Sequence, residues 1–564
     1  MNFTEYEYKR PDLEIVLKDY RNYISKFNEA TSAQEQIEII KELNVLRDDF
    51  ESMAGLCEIR NSLNTTDPFY EAEMDYYNNN MPYYEAVSQE FSKAFFNSKF
   101  RKELEETFGK TIFNMIEVQL KTFDEKIIPD LQIENKLSTE YTKLIASAKI
   151  HFDGKINNLP QMSPYTQSLN RDTRKAASDA IAGFLKENMD QFDDIYDKMV
   201  KVRTKMAHDL GFKNYVELGY LRLGRTDYDA TMVANYRKQV YNDLLPIVEK
   251  IIADQGKRLG ITDMKNYDLG LEFLSGNPTP KGGRDWMVEK ATKMYHEMSK
   301  EAGEFFDYMT SHNLLDLDAK AGKQGGGYTT YLPKFKSPYI FANFNGTKGD
   351  VDVLTHEAGH AFQVYSSRDV ILPEYRWPTY EACEIHSMSM EFFAWPWMEE
   401  FFKEDAPKYF YSHLCGSITF IPYGVSVDEF QELVYTNPEM SKEERRAIWR
   451  VCEQKYLPYK VYDNPTYQDG TLWYRQSHIF QSPFYYIDYT LAQVCAQQFW
   501  IKNQKNHTEA WKDYYHLCCL GGSKSFLNLV KEANLMNPFV DGTIKATTKE
   551  LQKWLNDFDQ SKLK

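Results

Sequence analysis

The stretch DVLTHEAGHAFQ, residues 352–363, restricts what this chain can fold into more than any other. It reads as an amphipathic helix in which His356 and His360 stand four residues apart, so both imidazoles lie on one face and can reach one ion. Glu357 is rotated by about 100° from His356, which sets its carboxylate beside such an ion and not on it. With 11 histidines in 564 residues, an H-E-x-x-H pattern arises by chance only about 0.02 times. A fold that uses the pattern must hold this helix firmly and bring a third ligand to it.

An open zinc site takes that third ligand commonly as a carboxylate from a following helix. The segment WPTYEACEIHSMSMEFFAWPWMEE offers Glu381, Glu384, Glu391 and His386. With Pro378 and Thr379 at the helix start, Glu384 lies well inside the helix, and 23 residues separate it from His360. Glu381 and Glu391 are candidates to accept hydrogen bonds from the ligand imidazoles. Two neutral histidines and one carboxylate leave such a centre with net positive charge, which lowers the pKa of a bound water towards neutrality. A later cluster, WYRQSHIFQSPFYYIDYTLAQ, combines His478 with Tyr485, Tyr486 and Tyr489. Phenols and imidazolium are donors suited to a developing oxyanion. In a chain with 40 tyrosines, ordinary packing is the competing reading of that cluster.

A length of 564 residues calls for two or more lobes, or one large domain with insertions. The first 125 residues or so read as long helices; Thr31 and Ser32 are placed to cap a run in which Ile37, Ile40, Leu43 and Leu46 recur at helical spacing. The Asp-Gly pair of KIHFDGKINNLP predicts a hairpin over about 149–159. Asp172 opens a further helical series. The expected organisation is an N-terminal helical lobe over 1–190 and a catalytic region over 191–564. In the latter, GGGYTTYLP and SPYIFANFNG read as neighbouring strands over about 326–345. The motif helix follows over about 350–366, the glutamate helix over 379–395, and the His/Tyr loop and helix over 474–500.

The formal charge of −16 and the lack of a clustered basic patch argue against nucleic acid or an anionic membrane as partner. MNFTEYEYKRPDLEIVLKDY shows no secretory signal, and no run of eighteen apolar residues predicts a membrane span. Seven scattered cysteines without C-x-x-C spacing predict free thiols and a cytoplasmic protein.

These landmarks, together with YKRPDLE, FDG followed by SPYTQSLNRDTRKAA, and CLGGSKSFLNLVKEANL, run in an order similar to that of the zinc oligopeptidases related to thimet oligopeptidase. The chain resembles most the bacterial oligoendopeptidase F group, with its Pz-peptidase-like branch. The resemblance covers nearly the whole chain. It implies a mainly α, two-lobed zincin fold with a deep central channel, a small sheet beside the active-site helix, and one zinc ion per chain. It makes His356, His360 and Glu384 the ligands and Glu357 the general base and acid. It makes His478 and Tyr489 stabilisers of the transition state, with Tyr486 or Tyr485 beside them. Short peptides would be the substrates, cut at internal bonds. The run from Tyr339 to Phe344 is expected to offer a strand edge to an extended peptide, so Tyr339, Phe341, Ala342, Asn343 and Gly346 are candidate substrate-binding residues. A dipeptidyl carboxypeptidase of the same class is the alternative activity, and a peptide-binding protein with a structural zinc is the alternative of another kind.

Overall fold

The computed structural model describes residues 1–320 and 322–564. The chain is mainly α-helical, with two small sheets among the described residues. Local signals set several boundaries directly. Helix Ala33–Leu63 starts where the Ser32 side chain accepts from the Glu35 amide at 3.2 Å. Strands β1 (Ile150–Phe152) and β2 (Lys155–Asn157) pair antiparallel across Asp153 and Gly154, whose φ values of 53° and 69° give the turn that matches strand twist.

The chain packs as two compact units, each assembled from three separate stretches. The expected division near residue 190 is not the one the packing follows. One unit comprises Met1–Lys121, Thr279–Glu404 and Lys502–Leu535; the other comprises Thr122–Pro278, Asp405–Ile501 and Met536–Lys564. The reason is nonlocal: the apolar faces of the first helices find their partners beyond residue 279. Tyr20, Phe27, Ile40, Leu43, Phe50, Val87, Phe95 and Phe113 form one buried cluster that also takes in Leu372 and Tyr375.

The first unit holds the second sheet, of β3 (Leu315–Asp318), β4 (Tyr328–Leu332) and β5 (Ser337–Phe344), in the order β3-β5-β4. β4 and β5 pair antiparallel, with Tyr328 opposite Phe341 and Thr330 opposite Tyr339, as their sequence patterns suggest. β3 adds in parallel on the other side, Leu315 opposite Ile340. β5 is therefore the central strand: β4 pairs with it from Ser337 to Phe341 and β3 from Ile340 to Phe344, so the expected free edge over 339–344 is overturned where both neighbours pair, at Ile340 and Phe341. The motif helix, Gly349–Ser366, packs on β5 and β4, and the glutamate helix, Tyr380–Phe393, packs on the motif helix.

The second unit contains buried ion pairs. The guanidinium of Arg203 donates to Glu134 Oε1 at 2.6 Å, the Tyr435 hydroxyl at 2.8 Å and the Phe480 carbonyl at 2.5 Å. Arg222 donates to Glu134 Oε2 at 2.8 Å. All seven cysteines are free. No helix among the described residues is long and apolar enough to cross a membrane.

Candidate active site

His356 and His360 share one face of the motif helix, their ring centroids 5.0 Å apart and nearly perpendicular. Glu384 comes to them from the glutamate helix, its Oε2 lying 3.3 Å from His356 Nε2 and 3.5 Å from His360 Nε2. One donor atom from each of the three lies within 4.8 Å of the others. Separations of 3.3 and 3.5 Å are the edges of a tetrahedron whose bonds are about 2.0–2.2 Å, the lengths zinc makes to imidazole and carboxylate. The donor set thus fits the ion.

What lets the helices approach this closely is Gly359, inside the motif. A methyl group there would lie 2.6 Å from the His386 carbonyl oxygen and 2.7 Å from Ser387 Cα. Two of these candidate ligands are oriented from behind. His356 Nδ1 is 2.7 Å from Glu391 Oε1, which leaves Nε2 to face Glu384. Ser387 donates to Glu384 Oε2 at 2.9 Å. Burial opposes charge on both groups. His360 and His356 nevertheless hold the Glu384 carboxyl well below its ordinary range, and Glu384 with Glu391 hold His356 well above its own. Side-chain exposures of 23% for His356 and 13% for His360, against 5% for Glu384, leave the imidazole side reachable.

Glu357 is buried beside the histidines, and Thr329 of β4 donates to its Oε2 at 2.6 Å. The other acids of the glutamate segment separate cleanly: Glu391 backs His356, while Glu381 is buried in the first turn of the glutamate helix. His386 is fully buried, and burial pulls its pKa down to about 4, so it is a neutral core residue packed near Tyr514.

In the second unit, Tyr485, Tyr486 and Tyr489 surround the His478 ring, at centroid distances of 5.6, 5.0 and 5.4 Å. The Tyr489 hydroxyl is 3.2 Å from His478 Nε2. The turn before helix Tyr486–Lys505 passes through Phe484 at φ 67°, a strained conformation for a residue with a side chain. Arg225 holds it by donating to the Phe484 carbonyl at 2.6 Å and pairing with Asp488 at the same distance.

The candidate substrate residues divide between buried positions and the turn before the motif helix. Tyr339, Phe341 and Ala342 have buried side chains. Asn343 spends its amide hydrogens on the carbonyls of Gln324 and Gly326, each at 2.8 Å, which ties down the glycine-rich segment before β4. Gly346, at φ 85°, donates its amide to Asp350 Oδ2 at 2.8 Å and makes the turn into the motif helix. Thr329, Ser387 and Gln476, which contact the site residues directly, escape a reading of the sequence. Only Ser387, one turn after Glu384, carries a local signal.

A model of the peptidase M3 N-terminal domain matches residues 3–123, and the model of peptidase family M3 matches residues 285–549. The chain belongs to peptidase family M3. A solved structure of Pz peptidase A with an inhibitor is 52% identical, covers 99% of both chains and superposes with a TM-score of 0.96. An oligoendopeptidase F homolog of Borreliella burgdorferi is 23% identical over 446 residues, 74% of each chain. The oligoendopeptidase-F of Enterococcus faecium, at 14% identity and a TM-score of 0.62 over 97% of this chain, shares the fold. The chain is accordingly a metallopeptidase of the oligoendopeptidase kind, a hydrolase acting on peptides. The sequence resemblance and the family match agree.

Proposed function

We propose that this M3 peptidase is a zinc endopeptidase that cuts internal bonds of short oligopeptides, with His356, His360 and Glu384 holding the ion and Glu357 as general base. The observation that carries the reading is the convergence of His356 Nε2, His360 Nε2 and Glu384 Oε2, with the Glu357 carboxylate buried alongside. When bound, zinc supplies Lewis acidity towards a carbonyl and acidifies water. The chain's own residues do the rest. Glu357 accepts a proton from water through a carboxylate oxygen and returns it to the leaving amine. Thr329 holds that carboxylate, and Glu391 holds the His356 ring. His478 and Tyr489 are the proposed donors to the oxyanion, the Tyr489 hydroxyl lying 3.2 Å from the imidazole Nε2.

Replacing Glu357 by Gln keeps the shape and removes the base, so the variant should bind zinc normally and lose about 10²–10⁴ in kcat. His356→Ala or Glu384→Ala should lose the metal as well. The test pairs metal analysis with mass spectrometry of a peptide whose C-terminus is amidated, which an endopeptidase still cuts and a carboxypeptidase does not. Full turnover by Glu357→Gln would end this reading.

A further inference from the structure

We propose that Gln476 is a positioning residue that holds His478 as the neutral tautomer with its proton on Nε2. The purpose of that tautomer, donation to an oxyanion, rests on the peptidase reading above; the tautomer itself rests on side-chain geometry.

Gln476 precedes the short helix Ser477–Gln481 with extended backbone, φ −89° and ψ 94°. Its side chain turns back on the ring two residues later, and its Nε2 lies 2.8 Å from His478 Nδ1. An amide nitrogen only donates, so Nδ1 accepts there and carries no proton. The single proton of the neutral ring is then on Nε2, the atom 3.2 Å from the Tyr489 hydroxyl. Gln476 is oriented from its other end, where Oε1 accepts from the Tyr423 hydroxyl at 2.8 Å. Burial pushes the Tyr423 phenol well above its ordinary pKa, so it keeps the proton that it donates to this oxygen.

Tyr423 is itself fixed within helix Ala406–Thr436. Its ring meets Tyr486 edge-on at 5.6 Å and Trp449 at 6.3 Å, and the Lys460 ammonium stands over it at 4.9 Å from the centroid. Tyr423, Gln476, His478 and Tyr489 therefore form one chain of hydrogen bonds, in which the phenol donates to the amide oxygen and the amide nitrogen, donating to Nδ1, selects the tautomer. The opposite amide orientation would set a carbonyl against Nδ1 and put the proton there. The two arrangements predict opposite rings.

The experiment uses full-length, zinc-loaded protein labelled with ¹⁵N-histidine, with the His478 resonances assigned by their loss in His478→Gln. Two-bond proton–nitrogen correlations at pH 8 should show a protonated Nε2 and a bare Nδ1. In the isosteric Gln476→Glu variant, whose carboxylate only accepts, the proton should move to Nδ1, a change that a merely space-filling role would not cause. Gln476→Leu, at equal zinc content, should mix the tautomers and lower kcat by about 10- to 100-fold with KM within about twofold, since the oxyanion donor is then only partly populated. A proton on Nδ1 of the unaltered protein, or an unchanged ring in Gln476→Glu, overturns the inference. Absence of peptide cleavage alongside the expected correlations would refute the peptidase reading and leave the tautomer assignment standing.

Discussion

Glu357 shows how much of the site depends on one hydroxyl. As the proposed base, Glu357 must face the same way in every turnover, and Thr329 gives it a fixed partner from the sheet at 2.6 Å. A hydrogen bond to a charged group is worth about 1.5–3 kcal/mol, which corresponds to roughly 10- to 100-fold in rate if all of it is spent on orientation. Thr329→Val keeps the shape and the β-branch of the side chain but loses the donor. It should reduce kcat by that factor and leave zinc content unchanged, while Thr329→Ser should stay within about threefold of the parent. Metal analysis beside initial rates checks this. Loss of zinc in proportion to activity in Thr329→Val would show that the hydroxyl supports the metal ligands and not the base.

Between elements, the decisive fact is how closely two helices pass. At Gly359 the motif helix meets the backbone of the glutamate helix with no room for a methyl group, and that approach brings Glu384 within 3.3 and 3.5 Å of the two imidazoles. Gly359→Ala should force the helices apart and weaken zinc binding by at least about tenfold, although Ala is the better helix former. A chelator competition titration measures it, and unchanged affinity would mean that the helices yield elsewhere. In the other unit, helix Ile128–Ala146 is tied through Glu134 to Arg203 and Arg222. Burial opposes the charge on Glu134, but the two arginines outweigh it and pull its pKa from 4.5 down to about 2. The sign follows from the depressed folded value: the stabilisation is complete above the unfolded pKa and is lost as pH falls from about 4.5 towards 2. Glu134→Gln should cost about 3 kcal/mol at neutral pH, and its deficit against the parent should shrink across that acid window. Urea midpoints at pH 7 and pH 3 test it; a deficit equal at both would rule out the ionic origin.

The same scale explains what the sequence made readable. The Ser32 cap, the Asp-Gly turn and the i, i+4 histidines are local, and each appears where its neighbours in the chain place it. Glu384 could be singled out only through the resemblance, because Glu381 and Glu391 share its helix; the structure separates them by which way each side chain points. β3 is four residues long, so its Leu-Asp-Leu-Asp alternation is too short to announce a strand, and the central place of β5 depends on it. Thr329 becomes a site residue through tertiary contact alone, while Gln476 does so by a local fold-back onto His478 that no spacing rule announces.

For the molecule as a whole, the order of segments along the chain misleads about what folds together. A cut at residue 190 looks natural, since helices precede it and the metal motif follows. Yet the unit that carries His356, His360 and Glu384 includes Met1–Lys121. Helix Ala33–Leu63 lies against β4 and the turn after it, where Ser52 Oγ accepts from the Lys334 amide at 2.9 Å. Asp48 pairs with Arg376 at 2.6 Å, Asn44 donates to the Ile371 carbonyl at 2.7 Å, and the Ile112 amide donates to the Tyr375 hydroxyl at 2.9 Å. A chain beginning at residue 191 would leave these groups unpaired and expose Leu332, Leu372 and Tyr375, which are buried in the intact protein. It should aggregate or bind a hydrophobic dye and hold little zinc, because the sheet and the helix that present Thr329, Glu357 and the histidines would lose their backing. Coexpression with residues 1–190 should restore soluble, zinc-loaded protein if the two stretches form one core. Recovery of monodisperse 191–564 with a full complement of zinc would instead show that the metal-binding helices need nothing from the N-terminal third.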